Sequence, residues 1–318
     1  MSDPKFHDLH PKAASLARAV REGFAKSPKQ IPPKFFYDEN GSQLFDQICE
    51  LPEYYITRTE RRLLREYADE IAAAVGDDVT LVEPGAGSAE KVRLILGQVR
   101  PKSYVAVDIS GDYLQGAILT LASDFPWLDV HGVCADFSMG LTIPKQLSSG
   151  RRVVFFPGSS LGNFEPGHAL RFLEDVHQFI APDGALIIGV DTKKDPQILH
   201  DAYNDHAGIT AEFNLNLLRR IRTELDSDID PESFEHRAHY NDVVGRIEMH
   251  LVSREPQTVR INGDQYRFDA GEAIHTESSY KYSTREFAQM ARKAGLHLIN
   301  QWQDEDGLFA LYHLVCAA

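Results

Sequence analysis

The 318 residues exceed one small domain and suit one large or two modest ones, with ordinary apolar and charged fractions that allow a sizeable core. A formal charge of −14, unbroken by any long Lys/Arg run, disfavours nucleic acid and anionic membranes and leaves a small molecule as the expected partner. The three cysteines, Cys49, Cys134 and Cys316, lie far apart without metal spacing, and neither the N-terminus MSDPKFHDLHPKAAS nor any later stretch has the apolar run of a signal peptide or membrane span, so a reducing, cytoplasmic setting is expected.

In chain order, the first predicted element is an amphipathic helix, KAASLARAVREGFAK, followed by the aromatic stretch PPKFFYDENGSQLFDQICELPEYY. From about Leu81 to Asp191 short apolar runs alternate with helical patterns. VTLVEP, SYVAVDIS, LDVHGVCAD, RRVVFFPG and GALIIGVD read as strands, and AEKVRLILGQV, YLQGAILTLASDF and HALRFLEDVHQFI as the helices between them. This alternation predicts a parallel sheet covered on both faces, with ligands at the carboxyl ends of its strands near a topological switch. The region from about 200 to 282 breaks the pattern, with a helix from Ile209 to Leu225 and then antiparallel strands in VGRIEMHLVSREPQTVRINGDQYRF and AIHTESSYKYS. The helix TREFAQMARKAG and the strands LHLINQWQDED and LFALYHLVCA return to the sheet. The expected architecture is α/β: a sheet domain from residues 58–198 and 283–318, and an α+β domain from 1–57 and 199–282 that caps the ligand edge of the sheet.

VTLVEPGAGSAEK reads as a strand, a glycine turn and a helix. On its own it fits a tight turn with no ligand as well as a nucleotide loop. A dinucleotide fingerprint needs a third glycine where Glu90 stands, and a glutamate at a helix N-terminus repels a pyrophosphate. No Gly-Lys-Ser/Thr follows, so the Walker pattern is absent too. A nucleoside without phosphates fits better. Asp108, ending the second strand, suits ribose hydroxyls, and Asp136 with Phe137, ending the third, suits adenine. Glu83, Asp108 and Asp136 at three successive strand ends beside Gly85 and Gly87 point to S-adenosylmethionine.

At this point the chain resembles a known family. PPKFFYDENGSQLFDQI, LPEYYITRTE, EPGAGSAEKVRLIL, FFPGSSLGNFEP, DAYNDHAGITAEFN, GRIEMHL and TESSYKYS are similar to the histidine-specific Nα-methyltransferases of ergothioneine biosynthesis, from about residue 30 to the end. The resemblance implies a Rossmann-like class I methyltransferase sheet with a second, substrate-binding domain, acting as a monomer. It implies three methyl transfers from S-adenosylmethionine to the α-amine of L-histidine, giving hercynine and S-adenosylhomocysteine, with no metal. It also implies site residues. Gly85, Lys91, Asp108, Asp136 and Phe137 match the cofactor site, with Gly158 and Tyr37 at its inner edge. Asn163 and Tyr203 match the residues holding the amine and carboxylate, Tyr54 and Met249 the pocket, and Glu277 and Ser279 the pair that reads the imidazole. Pro84 departs from the family pattern and removes an N–H from the loop.

The chemistry asks for such groups. An α-amine must lose its proton to attack a sulfonium methyl, and neutral partners such as Asn163 and Tyr37 serve it better than a carboxylate, which holds the ammonium form. Glu277 and Ser279, two apart on a predicted strand, share one face and suit a ring with two opposed nitrogens better than an indole, though a solvent-facing strand edge reads the same way. Tyr55 is expected to fill the interface between the domains, Arg58, Arg61, Arg62 and Arg65 to form a solvated helix face or a helix laced with pairs to nearby glutamates, and His236 and His239 in HRAH, with helix-like spacing and no acidic or cysteine partner, to hold no metal. Rival readings are the same chemistry on tryptophan, tyrosine or another small amine, a non-catalytic S-adenosylmethionine-binding subunit, and a protein or nucleic-acid methyltransferase.

Overall fold

A computed structural model describes residues 4–9, 16–147 and 150–317. In chain order they form β1 (Lys5–Asp8), α1 (Leu16–Phe24), β2 (Lys29–Gln30), α2 (Glu39–Cys49), α3 (Tyr55–Glu66), α4 (Ala68–Val75), β3 (Thr80–Pro84), α5 (Glu90–Val99), β4 (Ser103–Asp108) and α6 (Gly111–Asp124). Then come β5 (Asp129–Cys134), β6 (Arg152–Phe156), α7 (Pro166–Ile180), β7 (Ala185–Asp191), α8 (Pro196–Tyr203), α9 (Ile209–Glu224), β8 (Phe234–Asn241) and β9 (Arg246–Ser253). The chain closes with β10 (Gln257–Ile261), β11 (Asp264–Phe268), β12 (Ala273–Tyr280), α10 (Thr284–Lys293), β13 (Leu296–Gln303) and β14 (Phe309–Cys316). Among the described residues no helix is long and apolar enough to cross a membrane.

Contacts divide these elements into two units, one of Met1–Pro11, Ile56–Lys193 and Lys281–Ala318, the other of Lys12–Tyr55 and Lys194–Tyr280. The first unit is built on a sheet in the order β1-β5-β4-β3-β6-β7-β14-β13. From β1 to β7 every neighbouring pair is parallel, while β14 runs antiparallel to both β7 and β13. This is an α/β, Rossmann-like sheet. Each of the five runs read as strands between Leu81 and Asp191 forms one. Their near-continuous apolar character follows from burial on both faces; every residue of β3 and of β7 is buried. The order reverses between β3 and β6, so the carboxyl ends of β3, β4, β5 and β6 converge on one switch point. One difference from expectation is β1. Lys5–Asp8, expected in the substrate domain, instead pairs in parallel with β5, from Lys5 opposite His131 to Asp8 opposite Cys134, and extends the large sheet. An open sheet edge offers unpaired N–H and C=O groups, and even four residues satisfy them.

Beneath the turn that follows β3, Glu83 is buried and accepts a hydrogen bond from the Tyr104 hydroxyl at 2.6 Å. Burial pushes its pKa up to about 8, although the Tyr104 hydrogen bond and the charge of Lys91 pull the other way. Cys134 is buried as well, and loss of solvent pushes its thiol up to about 12, which makes it an inert apolar residue.

The second unit holds the four-stranded sheet β2-β12-β9-β8 and the separate hairpin β10-β11. β9 is antiparallel to both β8 and β12. Its odd-numbered residues Ile247, Met249 and Leu251 are buried, and they face the side of the sheet on which α8 and α9 pack. The register to β12 shifts by one residue between His275 and Glu277, so Thr276 is the extra residue of a bulge, its hydroxyl donating to the Met249 carbonyl at 3.1 Å. The segment before α2 is tied to α9. Asp38 caps α2 by accepting from Gly41 N at 2.7 Å, and it also accepts from Asn216 Nδ2 at 2.9 Å. Asn216 accepts in turn from Asn40 at 2.7 Å, and Arg220 donates to the Phe35 carbonyl at 2.6 Å.

Two outcomes follow. At Gly41 an added Cβ would lie 1.8 Å from the Phe36 carbonyl oxygen, a backbone atom that cannot swing aside. Gly41→Ala is expected to lose about 1–3 kcal/mol in urea unfolding, by overpacking. The second concerns Glu83, whose folded pKa lies above its unfolded value of 4.5. Between the two values the native state binds the extra proton, so stability from this group falls as pH rises from 4.5 through 8. Gln keeps an acceptor for Tyr104 and cannot ionise. The stability of Glu83→Gln relative to the parent, measured by thermal unfolding, is expected to improve steadily from about pH 5 to pH 8 and then level off, by a few kcal/mol at most. A pH-independent difference would contradict the buried acid.

Candidate functional site

In the first unit, β3 ends at Pro84 and the chain turns through Gly85 and Gly87 at φ 69° and 51°, the left-handed region that glycine alone enters without cost. Gly85 N donates to the Val107 carbonyl at 2.7 Å, and Ala86 N reaches the same oxygen at 3.2 Å. Successive N–H groups of a strand point to opposite neighbours. Gly85 points at β4, so the position of Pro84 faces β6, whose pairing already stops at Val82 opposite Val154. The proline therefore costs the turn no ladder bond. A Cβ at Gly85 would sit 3.3 Å from the Phe137 ring, whereas one at Gly87 would meet nothing within 4 Å. The turn thus packs on Phe137 from one side and opens on the other.

Asp108, at the end of β4, fastens this turn. One carboxylate oxygen accepts from Gly87 N at 2.9 Å and the other from Ser110 N at 2.9 Å. Burial raises its pKa, and the backbone N–H groups of Ser110 and Gly87 oppose that rise. Asp136, after β5, accepts from Ser138 N at 3.1 Å, which starts a single turn of 3₁₀ helix and sets the Phe137 ring edge-on to Phe156, 5.8 Å between centroids, and to Phe164 at 6.3 Å. Gly158, after β6, also has a left-handed φ, 85°, and a Cβ there would come within 2.9 Å of Lys91 Nζ. Gly85, Asp108, Asp136, Phe137, Gly158 and Lys91 thus share one end of the sheet. Asn163 closes a 3₁₀ turn, Ser160–Asn163, whose preceding Ser159 accepts from Asp191 N at 2.8 Å through its hydroxyl. The Asp191 carboxylate pairs with Lys281 at 2.6 Å, both side chains wholly buried.

One residue of this end was missed. Glu60 on α3 is wholly buried, accepts from Gly158 N at 2.8 and 3.0 Å through its two oxygens, and pairs with Lys91 at 2.7 Å. Gly189 on β7 leaves it room, since a Cβ there would lie 2.2 Å from Glu60 Oε1. Lys91, which the resemblance puts at the cofactor, is held against Glu60 and the Gly158 backbone. The signal was available: within ITRTERRLLRE, Glu60 stands at helical spacing from Ile56, Leu63 and Leu64, all buried, while Arg58, Arg62 and Arg65 are exposed.

In the second unit the rings of Tyr37 and Phe45 meet edge-on at 5.8 Å, and those of Tyr54 and Tyr203 at 6.2 Å. Tyr54 is buried; loss of solvent, and then the nearby Tyr203, Cys49, Glu277 and Tyr37, hold its phenol well above its ordinary pKa, so it stays a neutral donor. The Tyr203 hydroxyl donates to Ser279 Oγ at 2.9 Å. Glu277 and Ser279 lie on the helix-facing side of β12, with Met249 of β9 directly opposite Glu277, and all three are buried. Tyr37, Tyr54, Tyr203, Met249, Glu277 and Ser279 therefore cluster in this unit, and the pair on β12 is not a solvent-facing edge. His236 positions Tyr203: its Nε2 lies 2.9 Å from the Tyr203 carbonyl oxygen, and its Nδ1 is 2.9 Å from Asn214 Nδ2. Burial lowers its pKa, and the neutral ring with the proton on Nε2 satisfies both contacts. Lys194 donates to the Tyr55 hydroxyl at 2.7 Å, within the same unit.

The reading of HRAH needs correction. It lies in strand β8 rather than on a helix, so His236 and His239 point to opposite faces. His239 does have an acidic partner, Glu248 of β9, with His239 Nε2 and Glu248 Oε2 3.6 Å apart. The partner is nine residues away in sequence and comes beside it through the β8–β9 pairing, which local spacing does not reveal.

Residues 16–316 match the family model described as histidine-specific methyltransferase, SAM-dependent. The chain is 40% identical over 304 residues to the histidine N-alpha-methyltransferase of Mycobacterium tuberculosis, covering 93% of this chain and 94% of that one. It is 40% identical over 306 residues to the protein of the same name from Mycolicibacterium smegmatis, covering 94% of each chain. It is 29% identical over 307 residues to ergothioneine biosynthesis protein 1 of Neurospora crassa, covering 89% of this chain and 33% of that one. With a family match across nearly the whole chain and with these relatives, the chain belongs to the histidine-specific, S-adenosylmethionine-dependent methyltransferases.

Proposed function

We propose that this chain transfers methyl groups from S-adenosylmethionine to the α-amine of L-histidine, three in succession, giving the betaine hercynine as the first step of ergothioneine biosynthesis. The observation that carries the reading is the pair Glu277 and Ser279 on one face of β12, buried against Met249 and tied to Tyr203. A buried carboxylate accepts from one imidazole N–H. Ser279, which accepts from Tyr203, is assigned to the other ring nitrogen. An indole would leave one of the two without its partner, at a cost of about 1–3 kcal/mol, and this disfavours tryptophan.

The end of the first unit's sheet fits the methyl donor. When bound, S-adenosylmethionine supplies a methyl group on a sulfonium with a neutral leaving group. Asp108, its plane fixed by Gly87 N and Ser110 N, is assigned to the ribose hydroxyls, and Asp136 with Phe137 to the adenine. Gly85 and Gly158 keep the backbone free of side chains, and Lys91 acts with Glu60 to fix the Gly158 turn. The amine must be held in its deprotonated form. Asn163 and Tyr37 are neutral and are assigned to it, Tyr37 also to the inner edge of the cofactor site, and Asn163 and Tyr203 are assigned to the carboxylate. Tyr54, kept un-ionised by burial, lines the pocket with Met249. No strong base is required, because water can carry the proton away. The permanent cation that results from the third transfer has no proton to lose.

The imidazole assignment is tested by calorimetry on Glu277→Ala. Histidine is expected to bind at least about tenfold more weakly, the loss of one charge-assisted hydrogen bond, while S-adenosylmethionine binds as before. Equal weakening of both ligands would overturn the role given to Glu277.

A further inference from the structure

The second unit's sheet has two faces, and the bulge at Thr276 keeps their residues apart along β12. Glu277 and Ser279, with Met249 of β9, belong to the helix-facing side. The other side carries Arg246, Glu248 and His250 from β9, His239 from β8 and His275 from β12. There the register brings histidines and a carboxylate together: His239 stands directly opposite Glu248, and His275 directly opposite His250. One ligand atom from each of His239, Glu248 and His250 lies within 4.8 Å of the other two, the one such group among the described residues. Glu248 Oε2 is 3.6 Å from His239 Nε2 and 3.8 Å from His250 Nε2. The two imidazoles lie nearly parallel, 14° between planes and 5.4 Å between centroids.

We propose that His239, Glu248 and His250 form a binding site for a borderline-soft divalent cation of the Zn²⁺ class, on the face of the sheet opposite Met249, Glu277 and Ser279. Two imidazole nitrogens and one carboxylate oxygen are a donor set that zinc uses with three protein ligands and an open fourth position. Ligands about 2.1 Å from a tetrahedral ion lie about 3.4 Å from one another, so the observed separations close by small side-chain rotations. The carboxylate is already aimed. Its other oxygen, Oε1, accepts from Arg246 Nε at 2.8 Å and from Asn241 Nδ2 at 3.1 Å, which leaves Oε2 toward the two rings. Arg246 is held in turn by the Tyr280 hydroxyl, to which it donates at 2.6 Å. Such outer partners orient a metal's ligands. His275 Nε2 sits 3.1 Å from Ser278 Oγ, so His275 is a neighbour of the site and water takes the fourth position. A bound ion would brace β8 against β9, and so the strand that carries Met249.

The test is calorimetric titration of ZnCl₂ into the full chain after stripping with a chelator, with no histidine present, because free histidine itself binds zinc. One equivalent is expected to bind. His239→Ala is the decisive variant: its side chain is 50% exposed, so its removal leaves the fold intact, and binding is expected to weaken at least about tenfold. Glu248→Gln should weaken binding likewise, and His168→Ala, on the exposed side of α7, should not. Failure to bind Zn²⁺, or unchanged affinity in His239→Ala, would overturn the site.

Discussion

The buried carboxylate of Glu60 organises the ligand end of the first unit. Stripped of water, it would be prohibitive alone, and it is met by an ammonium and an N–H. The groups that meet there come from three different elements: Lys91 from α5, Gly158 from the end of β6, and Glu60 itself from α3. Gly189 on β7 is small because Glu60 occupies the space its side chain would take. With Gly158 fixed, the turn that follows it, ending at Asn163, is fixed as well. Its Ser159 is anchored on the backbone of Asp191, whose carboxylate is itself paired with Lys281. The parts of this end are therefore interdependent, and removing one partner leaves another charge or donor buried without its match, which costs several times what the pair itself contributes.

The second unit uses side-chain hydrogen bonds for the corresponding task. Asn214 holds His236, His236 holds the end of α8, and Tyr203 on α8 reaches Ser279. Asp38 and Asn216 tie the start of α2 to α9 and so fix the segment that carries Tyr37. In the proposed function, Tyr54, which burial keeps un-ionised, and its tyrosine neighbours would accept a neutral amine without stabilising its protonated form, and Glu277 would serve the imidazole.

The large sheet was legible in the sequence because a parallel strand buried on both faces is a continuous apolar run, and VTLVEP and GALIIGVD are such runs. Gly85 and Asp108 were legible because the turn and the acid sit at fixed distances along a strand–helix–strand unit. The residues assigned to the substrate were not legible by themselves. Glu277 and Ser279 on an isolated strand look the same whether the face is wet or buried, and it was the family resemblance that singled them out. Glu60 was hidden in an arginine-rich helix whose polar face drew attention from its apolar one. The β8–β9 neighbours His239 and Glu248 were hidden because HRAH mimics helical spacing, while cross-strand pairing depends on register that only the folded sheet displays. KFHD was too short to stand out from the rest of the N-terminal segment.

The most direct measurement is mass spectrometry of the purified protein incubated with S-adenosylmethionine and the twenty common amino acids. The account predicts one product, histidine carrying three additional methyl groups on its α-nitrogen, formed along with S-adenosylhomocysteine. Trimethylation of a different amino acid, with histidine untouched, would leave the fold and the methyl donor in place and contradict the imidazole-reading role of Glu277 and Ser279.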